Sequence, residues 1–340
     1  MNKSIMKKLL LLLIIPFLSF GQNLPGVQIL EAIIPIGNVA NFLITQDVLE
    51  DATVSMEAYM APFGKSIGTG LNAGWYNTGK PHRFPGFDIT IGGHAILMPS
   101  EAKEPFTFET EPNVVVPVLN NTIASEWDVF YMPYLQGSIG LIHKTELLFR
   151  YLPPMTYSDI TANYWGLGIK HDFKQYIPVI GALPFDLSFL AAYSNFKSNY
   201  HYTTDFPGFL DHNRYLDFDV EAFNCNIILS KKLAFITTYA GAGYQYSTSN
   251  LILDGYVIKN NNKVGDIFVQ NPPLNVSLGG VNGVKANVGA RFKFLLFTVH
   301  VDYTIAEYNA FTVGIGLNSD IGSKIIGGGI EKTTKKKNRD

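Results

Sequence analysis

At 340 residues with a single Cys, the chain can form no intrachain disulfide. It is 47% hydrophobic and 13% aromatic but only 16% charged, which is apolar for a soluble protein. A formal net charge of −2, with basic residues clustered only at the C-terminus, excludes a nucleic-acid-binding surface.

The N-terminus predicts export. Lys3, Lys7 and Lys8 precede the apolar stretch Leu9 to Phe20, and Ser19 and Gly21 are small residues placed for a cut before Gln22. Residues 1–21 are therefore read as a cleaved signal peptide, too short and wrongly flanked for a spanning helix. No later stretch is apolar for the roughly 18 residues such a helix needs, which excludes a helical membrane protein. Residues 22–62 form an N-terminal segment containing one short helix, Asp47–Ala61. Asp47 caps it with Glu50 three residues on, and Pro62 ends it. Val48, Ala52, Met56, Tyr59 and Met60 roughly share one side of that helix, which either plugs the lumen or packs at its periplasmic mouth, or else is a periplasmic leader with no role in the pore.

From residue 63 to 318 the pattern has a period of two. Ala286, Val288, Ala290, Phe292 and Phe294 alternate with Lys285, Asn287, Gly289, Arg291 and Lys293. After Leu295-Leu296, Phe297, Val299, Val301 and Tyr303 alternate with Thr298, His300 and Asp302; Phe311, Val313, Ile315 and Leu317 then alternate with Thr312, Gly314, Gly316 and Asn318. One apolar and one wet face per strand, with charge and glycine on the wet one, predicts an antiparallel transmembrane β-barrel with lipid outside. Further strands are expected at Ile67–Tyr76, Phe87–Leu97, Tyr131–Ile142, Thr145–Tyr151, Thr161–Asp172, Phe185–Phe196, Tyr215–Leu229, Leu233–Tyr246 and Leu251–Lys259. The barrel should have about 12–14 strands, an even number. Ser100–Trp127, Ser198–Arg214 and Asn260–Asn282 read as long extracellular loops, and 319–340 as a polar basic tail. Cys225, between Phe223 and Ile227, reads as a small buried or lipid-facing side chain.

The stretch Gly74-Trp75-Tyr76-Asn77-Thr78-Gly79-Lys80-Pro81-His82, followed by Pro85-Gly86-Phe87-Asp88, resembles the GWYNT-[AG]-KPH…GFD motif of an uncharacterised family of Gram-negative outer-membrane barrels. Arg291, His300 to Thr304, Tyr308 and Gly314 to Leu317 resemble that family's ending. The resemblance implies a barrel distantly similar to the long-chain fatty-acid and hydrocarbon transporters, and it brings no activity with it. On the residues themselves, Trp75 and Tyr76 belong at a membrane–water girdle, with Lys80 and His82 as turn residues or a polar gate.

Candidate site residues are few. If Leu295-Leu296 is a turn, Arg291 faces His300 with Asp302 on the diagonal, giving a lumenal polar cluster that is either a structural ion pair or an anion-holding site. Val48, Met56, Tyr59 and Met60 form a candidate ligand-facing helix surface. His94, His143, His171, His201 and His212 lack metal-ligand spacing, no nucleophile motif is present, and no cofactor is expected. The sequence thus predicts a monomeric, non-enzymatic barrel of a Gram-negative outer membrane, in contact with lipid and without nucleic acid. It is read as a passive transporter of small hydrophobic or amphipathic molecules, the alternative being a structural or interaction barrel whose loops bind a partner.

Overall fold

The computed structural model describes residues 46–104, 128–157, 160–177, 184–202, 209–259, 267–270 and 274–319. The signal peptide, residues 22–45, most of the first long loop and the basic tail lie outside them, as do the side chains of Val48 and Met56.

Among the described residues, the helix α1 (Gln46–Asn72) precedes twelve strands. It overruns the expected end at Ala61 and carries Pro62 inside it. A mid-helix proline costs about 3 kcal/mol, but Met60, Ile67 and Leu71, at helical spacing, are buried and Phe63 packs against the same cluster. Each such side chain returns about 1.5–3 kcal/mol, so burial wins. The expected strand Ile67–Tyr76 is therefore absent: Ile67, Leu71 and Trp75 also fit a spacing of four, and the helical reading prevails.

The strands are β1 (Phe87–Leu97), β2 (Val129–Gly140), β3 (Thr145–Tyr157), β4 (Ile160–Asp172), β5 (Asp186–Tyr202), β6 (Phe209–Leu233), β7 (Ile236–Lys259), β8 (Ile267–Gln270), β9 (Leu274–Gly279), β10 (Asn282–Phe294), β11 (Phe297–Ile305) and β12 (Ala310–Ser319). All twelve belong to one antiparallel sheet, and β1 pairs with β12 while β7 pairs with β10. The closed ring nevertheless has ten staves. Strands β10, β9 and β8 succeed one another along the same edge of β7, at Ile236–Tyr246, Ser249–Leu253 and Tyr256–Lys259. The region 260–282, read from sequence as a loop, thus contains two strands, and Leu251–Lys259 is the upper part of β7.

Alternation places the faces as expected. Phe292, Val299, Val313 and Ile315 are exposed on the outer wall, whereas Arg291, His300, Asp302 and Thr312 are buried inside. Cys225 lies in the outward phase of β6 and is half-buried. Leu295-Leu296 forms a two-residue turn, with Leu295 at φ 53°. Strands β1, β11 and β12 have 11, 9 and 10 residues, the length of a tilted bilayer crossing. An arginine in place of Val313, 39% exposed on that wall, is expected to destabilise the barrel by about 2–4 kcal/mol near the midplane. Urea unfolding in lipid vesicles, followed by heat-modifiability on gels, measures it.

Strands β5 to β7 continue beyond that band. Tyr193, Phe223 and Tyr246 are paired in register across β5, β6 and β7, and Trp165 stacks at a tilt on Tyr193 with centroids 5.7 Å apart. These outward rings form the aromatic boundary where lipid gives way to water. Past it the faces of β6 invert. Leu216, Phe218 and Val220 point inward and are buried, while the outward positions carry Asp217, Asp219 and Glu221. Below the boundary the inward positions turn polar, with Asn224, Asn226 and Ser230.

Candidate functional site

The lumen is filled by described residues that precede β1, namely α1 and the segment after it. Helix α1 occupies the end where β5 to β7 are long, and Tyr59, Met60, Ile67 and Leu71 pack there against Ile96, Phe130, Phe218 and Leu278. Tyr59 and Met60 therefore meet the apolar wall and not a ligand-sized space. The helix closes with Ala73 N–H donating to Thr69 O at 2.9 Å, followed by Gly74 at φ 61°, the left-handed turn that glycine adopts without strain. Asn72 holds this junction: Asn224 Nδ2 donates to its Oδ1 at 3.1 Å and Lys285 Nζ to its carbonyl at 2.6 Å.

The motif Trp75 to His82 continues down the lumen, and Trp75 to Gly79 and His82 are each tied to the wall. Trp75 is 1% exposed and Tyr76 5%, so neither is part of a membrane girdle. Alternation could not detect this because the segment is not a strand. Trp75 donates Nε1–H to Leu71 O at 2.8 Å, and the Arg150 guanidinium lies over its ring at 4.2 Å. On the other side Gly166 and Gly168 leave room that a side chain would take, since a Cβ there would stand 3.1 and 3.0 Å from the indole. Arg150 also lies 4.9 Å over Tyr134 and donates to Gln136 Oε1 at 2.8 Å. Tyr76 donates its hydroxyl to Asn287. Thr78 O accepts from Lys170 Nζ at 3.3 Å, and Gly79 N–H donates to Ser230 Oγ at 2.9 Å. His82 N–H donates to Glu146 Oε2 at 3.0 Å, and that carboxylate also holds Lys170 Nζ at 2.9 Å.

The expected polar cluster exists in register, with Arg291 paired to His300 and Asp302 opposite Gly289. Its members reach different partners. Arg291 donates to Asn77 Oδ1 at 3.0 Å, His300 Nε2 lies 3.0 Å from the Tyr134 hydroxyl, and Asp302 Oδ2 accepts from the Tyr239 hydroxyl at 3.1 Å. Arg291 thus fastens the plug to the wall. Sequence reading missed Glu146, Arg150, Lys170 and Lys285. Their signal was present, as charges in the wet, inward phase of membrane-length strands.

At the short-turn end, below His82, a cavity of about 250 Å³ opens between plug and wall. It is lined by Thr78, Lys80, Pro81, His82 and Arg83 from the plug, Asp186 from β5, Lys232 from β6, Thr237 from β7, and Arg291 and Lys293 from β10. The structure therefore brings Lys80, His82 and Arg291 together, which the sequence had assigned to two separate groups. Among the described residues no group of His, Cys, Asp and Glu has the form of a metal site.

The profile of a family of unknown function, DUF6588, matches residues 6–125 and 109–319. No curated protein sequence matches the chain. Among solved structures, the attachment invasion locus protein Ail of Yersinia pestis is 8% identical, over 69% of this chain and 100% of that one, with a TM-score of 0.25. The translocator domain of the autotransporter NalP from Neisseria meningitidis is 10% identical over 79% and 97%, with a TM-score of 0.30. LpxR from Salmonella typhimurium is 10% identical over 68% and 99%, with a TM-score of 0.22. At these values the likeness adds nothing to the barrel already read from strand register.

Proposed function

The chain belongs to the DUF6588 family of unknown function, so the fold brings no inherited activity, and we propose that it is a sealed barrel of a Gram-negative outer membrane that acts by binding, as a monomeric interaction module, without conducting solutes or catalysing a reaction. One observation carries this reading: α1 and the Trp75–His82 segment occupy the lumen, and Trp75, Arg150, Lys170 and His94 in its middle are each at most 2% exposed. A ring of ten staves is wide enough for one helix and little more. A hydrophobic cargo would also have to cross the layer of Glu146, Arg150, Lys170 and Lys285, where stripping water from charged groups is costly.

Gated uptake of hydrophobic molecules is the second reading, favoured by the apolar upper lumen. Ile96, Phe130, Phe196 and Leu251 would line an apolar chamber if α1 moved aside. The experiment is to lock the plug by replacing Asn72 and Asn224, whose side chains bond at 3.1 Å, with cysteines in a Cys225→Ser background. In the sealed-barrel reading, planar bilayers show no conductance steps, and uptake of labelled fatty acids and aromatics is the same in cells with wild-type, oxidised locked or no protein. Uptake that disappears on oxidation and returns on reduction would establish the gated transporter instead.

A further inference from the structure

The outer wall carries a shallow groove of about 260 Å³ across β3 to β6, and strand register explains it. Ala191 stands between Ile169 on β4 and Cys225 on β6. Phe189 and Tyr193, two residues away on β5, point the same way and are large. A methyl among rings and branched chains leaves a dip in the wall. Gly168 and Ala191 form its floor, Leu167 and Ile169 one side, and Tyr193 and Phe223 stand over it at the aromatic boundary. Its lining is apolar except for the Tyr193 hydroxyl, which turns up to bond Glu221.

The groove is continuous with the lipid-facing wall, where Leu147, Phe149, Phe189 and Ile227 are exposed around it, so an acyl chain of the bilayer is what enters it. A dry cavity of about 150 Å³ holds a benzene, so this volume admits roughly ten carbons of a chain. Fit alone does not retain one lipid over another, because within the hydrocarbon every tail is as apolar as the groove. Selectivity has to come from what the wall offers the head.

Just beyond the boundary the same strands offer a polar ladder. Asn195, Glu221 and Thr248 are in register across β5, β6 and β7, and Lys197, Asp219 and Asn250 form the next outward row. At about 3.4 Å per residue and a tilt of about 45°, these rows lie roughly 5 and 10 Å above Tyr193, the depth of a leaflet's polar layer and a little more. Amides, carboxylates and a hydroxyl at successive positions suit a polyol, whose hydroxyls both donate and accept. Asn195 Nδ2 donates to Asp219 Oδ1 at 2.7 Å, which holds part of the ladder in place. Charge argues against a phosphate head. Among the described outward side chains of these three strands past the boundary, Asp217, Asp219 and Glu221 face one ammonium, that of Lys197, 3.2 Å from Asp219, and like charges brought together are repelled.

We propose that this face of β4 to β7 seats one glycolipid of the outer leaflet, with an acyl chain in the groove at Ala191 and an uncharged sugar head on the ladder above. The seat lies outside the lumen, so it holds for a sealed barrel and a gated one alike.

The test uses the full chain in phosphatidylcholine nanodiscs doped with equal amounts of monogalactosyl diacylglycerol, phosphatidylglycerol or diacylglycerol of matched chains. Native mass spectrometry of the released protein counts the lipid it retains. The expected result is one galactolipid per barrel, held about tenfold more strongly than the other two, the worth of one or two net hydrogen bonds. Ala191→Phe fills the groove and should abolish that retention. Glu221→Ala with Thr248→Val should leave diacylglycerol retention as it is and remove the preference for galactolipid. Both variants are first checked for unchanged heat-modifiability. Equal retention of the three lipids, a preference for phosphatidylglycerol, or galactolipid retention unchanged in Ala191→Phe would each overturn the proposal.

Discussion

Replacing Glu146 with alanine is expected to destabilise the barrel by about 3–5 kcal/mol, the usual cost of leaving one member of a buried ion pair without the other. Its carboxylate holds Lys170 Nζ at 2.9 Å and the His82 N–H at 3.0 Å, with both side chains of the pair almost fully enclosed. Without it, Lys170 retains the Thr78 carbonyl at 3.3 Å, and the lower plug loses its anchor on β3. The double variant Glu146→Leu, Lys170→Met should recover most of the loss, because the penalty belongs to the stranded charge and not to the missing pair. Urea unfolding in vesicles measures both. A single-variant cost under about 1 kcal/mol, the value of an exposed pair, would mean that water reaches Lys170.

Trp75→Ala should cost a similar amount, about 3–5 kcal/mol for a fully buried large aromatic. The indole fills the space between Arg150 and the side-chain-free strip at Gly166 and Gly168, so its removal opens a cavity in the middle of the lumen. It also removes a desolvated cation–π contact, worth about 2 kcal/mol. A double-mutant cycle with Arg150→Met isolates that part, and coupling below about 0.5 kcal/mol, the noise of additivity, would show that the ring serves only as filler. Conductance of Trp75→Ala is informative as well: in a sealed barrel, a hole of one indole still leaves Arg150 and Tyr76 across the path.

The sheet was legible in the sequence because alternation is a local property. Each of the last three strands, its facing and the Arg291–His300 pairing follow from period two plus a short turn. The inversion in β6 was also written there, since even-numbered Leu216, Phe218 and Val220 give way to odd-numbered Phe223, Ile227 and Leu229. It was overlooked because one strand was taken to have one apolar face throughout, which holds only while lipid lies on the same side. The helical part of the plug was one of the readings the sequence offered; the part from Trp75 to His82 was not legible. Nothing local shows that Trp75 to His82 lies inside a ring made by residues as distant as Arg291, and the motif's Gly, Asn and Pro have the composition of an ordinary turn. The ring size was misjudged for a related reason, as counting strands does not reveal that three of them share one edge of β7.

The seam between β1 and β12, with Ile91 beside Ile315, joins the two ends of the sheet and has a kinetic consequence. A contact across so much sequence carries the largest loop-closure cost in the ring, so it forms late. The plug is synthesised before every stave that surrounds it, and once the seam zips there is no lateral way in. We expect it to be laid down while the sheet is still an open trough. The resulting order of assembly makes the plug a template around which the barrel curls, and damage to its anchors should register first as slow or stalled closure, before any loss in the finished wall.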